Sequence, residues 1–213
     1  MDRTPLPLGR PRAERADAAR NREQLLAVAR EMVTELGADK VTMDGLAEGA
    51  GLGKGTVYRR FGTRAGIFHA LLDDDEHAFQ REVLAGPPPL GPGASPLQRL
   101  VAYGRARIAF LTGHITIVRS ALDHHRAVPA EGGSAFTQAH IRMLLGQAGT
   151  GVADLDSLTV QLTSALEGPF MIFLALPGTG PEPSAEADAA FERRARPLGD
   201  SWQTLVERVC RRA

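Results

Sequence analysis

The sequence predicts an all-α protein of about nine to ten helices: an amino-terminal three-helix domain containing a helix-turn-helix, followed by a carboxy-terminal helical bundle. Two observations lead to this prediction. Successive segments place apolar residues three and four positions apart, which is the spacing of one face of an α-helix. Glycine, proline and hydroxyl residues fall at the ends of those segments, where helices begin and end. The 213 residues suffice for one small and one larger domain with an apolar core.

Charge divides the chain in the same way. The formal net charge is zero, yet residues 1–72 carry twelve Lys and Arg against nine Asp and Glu, and the remainder carries thirteen against sixteen. The basic end is the one expected to face nucleic acid. The lone Cys210 excludes a disulfide framework, and the sequence begins with no apolar leader. The apolar run Phe170–Leu176 is far shorter than the roughly 20 residues of a membrane span, so we expect a cytoplasmic protein without membrane contact.

The amino-terminal segment, residues 1–17, is rich in proline and arginine, and we expect a flexible basic arm that can lie along DNA. The three-helix domain is expected over residues 18–72. Its first helix is predicted over about Asp17–Leu36 and should end at Gly37. The inward stripe of that helix is predicted to be Leu25, Leu26, Ala29, Met32, Val33 and Leu36.

The segment Val41–Phe61 has the pattern of two short helices meeting at a glycine turn. Thr42 is expected to cap the first helix, and Gly51 to adopt the left-handed conformation that ends it. The second helix is predicted over Lys54–Phe61, starting after Gly53. Its outward side chains suit the major groove of DNA: Lys54, Thr56, Tyr58, Arg59 and Arg60.

The glycine turn has two other interpretations. It could be a plain surface turn, or a phosphate-binding loop built from Gly, Lys and Thr. A P-loop needs Gly-Lys-Ser/Thr in immediate succession after a strand, whereas Lys54 is followed by Gly55 and preceded by a helical segment. Gly45 and Gly49 lie inside the first short helix and each costs roughly 0.5–1 kcal/mol relative to alanine, so this helix should depend on packing against its neighbours.

Together with Gly62–Phe68, this block resembles the amino-terminal domain of the TetR/AcrR family of transcriptional regulators over roughly residues 18–72. The shared pattern is a Thr that opens the second helix, Ala-Gly-x-x-Lys-Gly-Thr-x-Tyr across the turn, then Phe and a basic residue at the start of a fourth helix. The chain departs from it at Gly45, where an acidic residue usually stands, and at Gly53, where Ser is usual. The resemblance implies base contacts from the third helix and phosphate contacts around it. The DNA-contacting set is Thr42, Lys54, Gly55, Thr56, Tyr58, Arg59, Arg60, Thr63 and Arg64.

A proline-rich linker, Ala85–Gly93, precedes the helical bundle, and residues 73–213 are expected to form an effector-binding and dimerisation domain. A helix predicted from Ser95 to about His114 carries two inward stripes and should be central. The family resemblance implies that such helices line an effector cavity, although the second stripe could equally pack on neighbouring helices. The candidate ligand-binding residues are Tyr103, Arg107, Phe110 and His114 on that helix, and beyond it Arg119, His124, His125, Phe136, His140, Met143, Glu167, Phe170 and Phe173.

No metal, cofactor or enzymatic activity is predicted. Adjacent His124 and His125 diverge on a helix, and with His140 they are not completed by a Cys or carboxylate at tetrahedral-site spacing. The sequence contains no Gly-x-Ser-x-Gly elbow and no His-Glu-x-x-His pair.

The end of the chain is expected to form the dimer. Asp156–Leu176 is apolar nearly all round and should bend at Gly168-Pro169. A following segment should split near Pro197, with Asp200 and Gln203 as a capping box for the final helix. The family resemblance implies that the last two long helical segments pair with a second copy, through an apolar stripe of Phe191, Ala195, Leu198, Trp202, Leu205, Val206 and Val209.

The sequence therefore predicts a homodimeric, ligand-responsive transcriptional regulator. It should repress genes by binding a palindromic operator in double-stranded DNA and leave it when a small-molecule effector binds. The alternative is a helix-turn-helix DNA-binding protein whose carboxy-terminal domain binds a protein partner or no ligand.

Overall fold

The computed structural model describes residues 12–122, 133–175 and 185–211. Within those ranges the chain forms ten α-helices, a three-residue 3-10 turn at Ala38–Lys40 and no β-strand, so the predicted all-α class and helix number are confirmed. The helices are α1 Arg12–Leu36, α2 Met43–Gly49, α3 Lys54–Phe61, α4 Arg64–Ala85, α5 Pro96–Gly113, α6 Ile115–Ala121, α7 Gly133–Ala148, α8 Leu155–Ala175, α9 Ala185–Ala195 and α10 Leu198–Cys210.

The chain divides into two compact units, one ending at Ile67 and one beginning at Phe68. The division falls inside α4, which is a continuous helix of 22 residues. In the first unit, α1, α2 and α3 bury one apolar core. Its fully enclosed side chains are Leu25, Leu26, Ala29, Leu46, Val57 and Ile67.

Two expectations for the amino-terminal segment are wrong. Residues 12–17 are not part of an arm, because α1 begins at Arg12, and the Ala-rich and Glu-containing sequence after Pro11 favours a helix. Residues 1–11 of the predicted arm lie outside the described residues. Leu36, assigned to the inward stripe, is exposed because α1 ends there.

Glycines follow the ends of α1 and α2. Gly51, after α2, has a φ angle of 61°, which confirms its predicted left-handed conformation, and Gly37, with a φ angle of 91°, follows the end of α1 as predicted. A Cβ atom at Gly49 would lie 2.8 Å from Cγ1 of Val28. Gly49 therefore permits a close approach of α1 to α2. The lower helix propensity of this glycine is offset by the packing that it allows.

In the second unit α5 packs against α6, α7, α8, α9 and α10, as predicted for a central helix. It begins with a capping box in which Ser95 accepts a hydrogen bond from the Gln98 amide, and Pro96 occupies the first helical position. Its main core joins α5, α7, α8 and α10 through Leu100, Ile141, Leu144, Leu145, Leu162, Leu166 and Val206.

The helices α5 and α10 approach each other closely at Gly104. The indole of Trp202 lies over Gly104, where a Cβ would be 1.9 Å from Nε1. The indole N–H donates to the Leu100 carbonyl at 2.9 Å. Because the ring fills the space of a missing side chain, this position requires glycine.

This packing corrects the predicted dimer stripe. Its apolar side chains lie mostly inside the subunit: Phe191, Ala195, Trp202 and Val206 are buried, while Leu205 is 38% exposed. The break near Pro197 is confirmed, since α9 ends at Ala195 and α10 begins at Leu198. The predicted capping box is wrong, because the side chains of Asp200 and Gln203 both accept hydrogen bonds from Arg105, at 2.5 and 2.8 Å.

The helix α8 contains Pro169 within its 21 residues. With a mean hydropathy of 1.3 it is long and apolar enough to cross a membrane by length and composition alone, which the shorter run Phe170–Leu176 did not indicate. Leu162 and Leu166 lie in the main core of the unit, and Glu167 pairs with the buried Arg107. These contacts are those of a bundle helix.

Candidate nucleic-acid interface

The helix α3 presents a polar face to solvent. Val57 is buried, whereas Lys54, Tyr58, Arg59 and Arg60 are exposed, with half of the Tyr58 surface accessible. Gly55 lies among them, and a Cβ built there would meet no atom within 4 Å. Thr56 is half-buried. The outward orientation predicted for these cationic and aromatic side chains is thus the one in the structure.

Two threonines cap the helices that flank α3. Thr42 Oγ1 accepts the amide of Gly45 at 3.0 Å at the start of α2, and Thr63 Oγ1 accepts the amide of Gly66 at 3.1 Å at the start of α4. A hydroxyl oxygen that accepts in this way keeps its own proton as a donor. Each exposed threonine therefore retains a hydrogen-bond donor suited to a phosphate oxygen.

Arg64, for which a phosphate role is predicted, also makes contacts within the chain. Its Nε donates to the Val41 carbonyl at 2.8 Å and one terminal nitrogen donates to the Ala38 carbonyl at 2.5 Å. These two bonds use two of the five N–H donors of a guanidinium, so the phosphate role stays a prediction. Through them Arg64 ties the start of α4 to the turn before α2, and so holds Thr42 and Thr63 in place.

A groove of about 310 Å³ lies between α1 and α3. It is lined by Ala18, Asn21, Arg22, Leu25, Thr56, Arg59 and Arg60. Sequence reasoning did not assign the α1 residues Asn21 and Arg22 to the interface. They lie one helical turn before Leu25 and Leu26, at the polar start of the apolar stripe of α1, and this was the available signal, but it did not indicate which neighbour they would meet.

Lys54 forms an ion pair with Asp44, with Nζ 2.7 Å from Oδ2. The hydrogen bond to Asp44, followed by the carboxylate's charge, raises the pKa of Lys54 above its ordinary value. Elsewhere in this unit, Gln24 of α1 donates to the Ala50 carbonyl at 2.8 Å and so fixes the turn between α2 and α3. Neither contact was expected from the sequence.

Among the described residues of the second unit, the predicted ligand-binding side chains lie in several different places. Arg107 is almost fully buried and its guanidinium lies 2.6 Å from Glu76 and 3.3 Å from Glu167. Tyr103 donates to Thr137 at 2.8 Å, and burial raises the pKa of the phenol to about 12. This buried polar cluster of Glu76, Tyr103, Arg107, Thr137 and Glu167 joins α4, α5, α7 and α8.

His140 lies beside this cluster, with its ring stacked on Phe136 and 4.7 Å from the ring of Tyr103. Its Nε2 is buried without a hydrogen-bond partner among the described residues. Burial, helped by the charge of Arg99, lowers the pKa of His140 to about 4. The ring is therefore neutral at physiological pH.

Phe110 and His114 line an open groove of about 400 Å³, together with Asp75, Ala78, Phe79, Arg81 and Glu82. The two nitrogens of His114 face acceptors: Nδ1 is 2.7 Å from the Phe110 carbonyl and Nε2 is 3.1 Å from Asp75. Burial opposes the charged ring, but the hydrogen bonds to Asp75 and Phe110 prevail and raise the pKa of His114.

The other candidates are scattered. Arg119 is fully buried and pairs with Asp188 at 2.6 Å. Phe170 and Phe173 belong to a second apolar cluster around Phe191. Met143 is 41% exposed, and its ligand-binding role stays a prediction. His124 and His125 lie outside the described residues, and no group of three metal-ligating side chains occurs in the part of the chain that is described.

The neutral state of His140 gives the fold an expected pH dependence. Its pKa is about 4 in the folded chain against an ordinary 6.5, so the unfolded chain binds the proton first as the pH falls through this window. At about 1.4 kcal/mol per pKa unit, roughly 2–3 kcal/mol of stability should be lost between pH 6.5 and about 4.5. Urea unfolding of the protein and of His140→Gln at both pH values measures this loss. The variant should lose correspondingly less, and parallel declines of the two would contradict the assignment.

Comparisons with known proteins agree with this geometry. Residues 25–71 match the family model described as bacterial regulatory proteins, tetR family. The chain is similar to a TetR/AcrR-family transcriptional regulator from Thermobifida fusca YX-ER1, at 20% identity over 85% of this chain and 97% of that one, with a TM-score of 0.52. It is also similar to a putative TetR-family regulator from Rhodococcus sp., at 19% identity over 86% and 99% of the two chains, with a TM-score of 0.51. No match was found among curated proteins.

Proposed function

We propose that this chain is a homodimeric repressor of the TetR family, released from a palindromic operator by a small-molecule effector; the match of residues 25–71 to that family's model supports the assignment. The exposed face of α3 is the observation that carries the proposal. It presents Tyr58, Arg59 and Arg60 between the threonine-capped starts of α2 and α4. Arginine suits guanine edges in the major groove, and the capping threonines suit the flanking phosphates.

A second copy of the chain is proposed to dock on α8. One face of this helix is exposed at intervals of three and four residues, from Val160 to Ile172. Large apolar side chains lie on it, with Val160, Met171 and Ile172 at 52%, 46% and 65% exposure. Small residues, Ser164 and Ala165, lie between them and permit close helix approach. Several large exposed apolar side chains on one helix face are typical of an interface. In this proposal α8 supplies the apolar contact, and α10 adds Leu205.

Replacing Ile172 with glutamate is expected to convert the dimer to a monomer, because the interface would have to bury an unpaired carboxylate at its most exposed apolar position. Sedimentation velocity measures the mass. The matched control is Leu84→Glu on α4, which places the same charge on another exposed leucine, at 58% exposure, and should leave the mass unchanged. A dimeric Ile172→Glu protein, or dissociation of both variants alike, would argue against α8 as the interface.

Effector binding is proposed for the second unit. The groove beside Phe79, Phe110 and His114 has a volume of about 400 Å³, which is within the size range of small-molecule sites. Next to it, Glu76 of α4 pairs with Arg107 of α5. A ligand that shifts this pair would act on α4, which is continuous with the helix start that Arg64 anchors. The ligand changes operator affinity only by its differential affinity for the two states.

The alternative, a second unit that binds a protein or no ligand, is supported by the dense packing of Tyr103 and Arg107, which already hydrogen-bond to Thr137 and Glu76. Compounds that raise the melting temperature of the purified protein would be tested for their effect on operator affinity. Binders that weaken the operator complex support the effector proposal. Binders that leave operator affinity unchanged would favour the alternative.

A further inference from the structure

The cations of α3 differ in their surroundings. Lys54 is held by Asp44, with Nζ 2.7 Å from Oδ2, whereas Arg59 and Arg60 form no ion pair within the described part of the chain. Lys54 is the first residue of α3, and Asp44 is the second residue of α2. The two short helices of the helix-turn-helix are thus bridged by a charge pair on the face that is proposed to meet DNA.

The Lys54–Asp44 ion pair is expected to contribute little to the stability of the fold. The side chains of Lys54 and Asp44 are 67% and 58% exposed. An ion pair at that exposure contributes little to folding and is screened by salt. The effect of the carboxylate is instead on the ammonium itself. Lys54 stands at the positive end of a helix dipole, where a cation is disfavoured, and Asp44, with a further contribution from Glu48, offsets that cost.

We propose that Asp44 is a specificity-determining residue of the DNA interface: it withholds Lys54 from backbone phosphates and leaves it able to bind a base edge. The inference rests on the proposed function. An ammonium has three donors, and the carboxylate occupies one of them. A phosphate that binds Lys54 must displace Asp44 or lie beside it, where the two negative charges repel each other. Neutral acceptors such as guanine O6 and N7 bind the remaining donors without that repulsion.

The test is Asp44→Asn, with dissociation constants measured for the selected operator and for a random duplex over a range of salt concentrations. Freed from the carboxylate, Lys54 should add one phosphate contact per subunit on random DNA, and the salt slope of the dimer should steepen by about 1.8, or roughly 0.9 per contact. The affinity for random DNA should rise by roughly 3- to 10-fold and that for the operator by less. The ratio of operator to random affinity should therefore fall several-fold.

Two controls separate the pair from a general change of charge. Asp39→Asn removes the same charge from another exposed aspartate of this unit, which pairs with Lys40 at 3.2 Å. In a Lys54→Met background, Asp44→Asn should have no effect beyond that control. Equal effects of the two single variants, or an undiminished effect of Asp44→Asn in the Lys54→Met background, would overturn the inference. If the unaltered protein shows no operator preference, the proposed function itself fails and the inference fails with it.

Discussion

Replacing Arg107 with methionine is expected to lower the free energy of unfolding by about 3–5 kcal/mol, the usual cost of removing one partner from a buried charge network. The guanidinium is about 5% exposed and lies between two carboxylates that are themselves mostly buried, Glu76 and Glu167. Methionine fills much of the arginine's volume but leaves both carboxylates without their cation. Each must then remain charged in a poorly hydrated site or take up a proton.

Urea unfolding at neutral pH measures this loss, and two variants define its cause. Arg105→Met, two residues away on α5, removes an arginine that pairs with the exposed Asp200 and should change stability by less than about 1 kcal/mol. Adding Glu76→Gln and Glu167→Gln to Arg107→Met removes the stranded charges and should restore much of the loss. If Arg107→Met were no more destabilising than Arg105→Met, the buried network would not carry the stability assigned to it.

Replacing Arg59 with alanine is expected to abolish operator recognition while leaving dimerisation intact. Arg59 is exposed in the last turn of α3 and also lines the groove between α1 and α3. One good base contact is worth about 1–3 kcal/mol, and a symmetric dimer loses two, so operator affinity should fall by roughly 30-fold to more than 10⁴-fold. Fluorescence anisotropy with labelled operator measures the fall.

The control for Arg59→Ala is Arg196→Ala, which removes the same charge from the exposed end of α9. Arg196→Ala should change the affinity for operator only slightly, and the affinity for random DNA by a similar factor. Tyr58→Ala, which removes the exposed aromatic ring next to Arg59, should also weaken the operator complex. Tight and sequence-specific binding by both Tyr58→Ala and Arg59→Ala would show that α3 is not the reading helix.

Local signals predicted the first unit well. The cap at Thr42, the left-handed Gly51 and the bounds of the reading helix depend on neighbouring residues, and all three are confirmed. Periodicity alone was less informative at the end of the chain. The stripe through Trp202 and Val206 has the spacing of an interface, but it is buried in its own subunit because Gly104 makes room for the indole. Whether such a stripe packs within its own subunit or against a second copy depends on contacts between residues about one hundred positions apart in the sequence.

The same limit applies to the proposed site. The motif indicated which residues of α3 face outward, yet the commitment of Arg64 to the carbonyls of Val41 and Ala38 follows from tertiary structure. The pairing of Lys54 with Asp44 crosses the turn between two helices and carries no sequence signature. Asp200 and Gln203 have the spacing of a capping box, but Arg105 is the better partner once α5 lies beside α10.

Selection of bound sequences from random duplex DNA by the purified protein, followed by footprinting at two salt concentrations, tests the central claim most directly. The expected result is a palindrome whose half-sites are about one helical turn apart, roughly 34–36 Å, with an affinity that falls steeply as salt rises. Failure to enrich any sequence, from protein shown to be folded and dimeric, would contradict the proposal that α3 reads an operator.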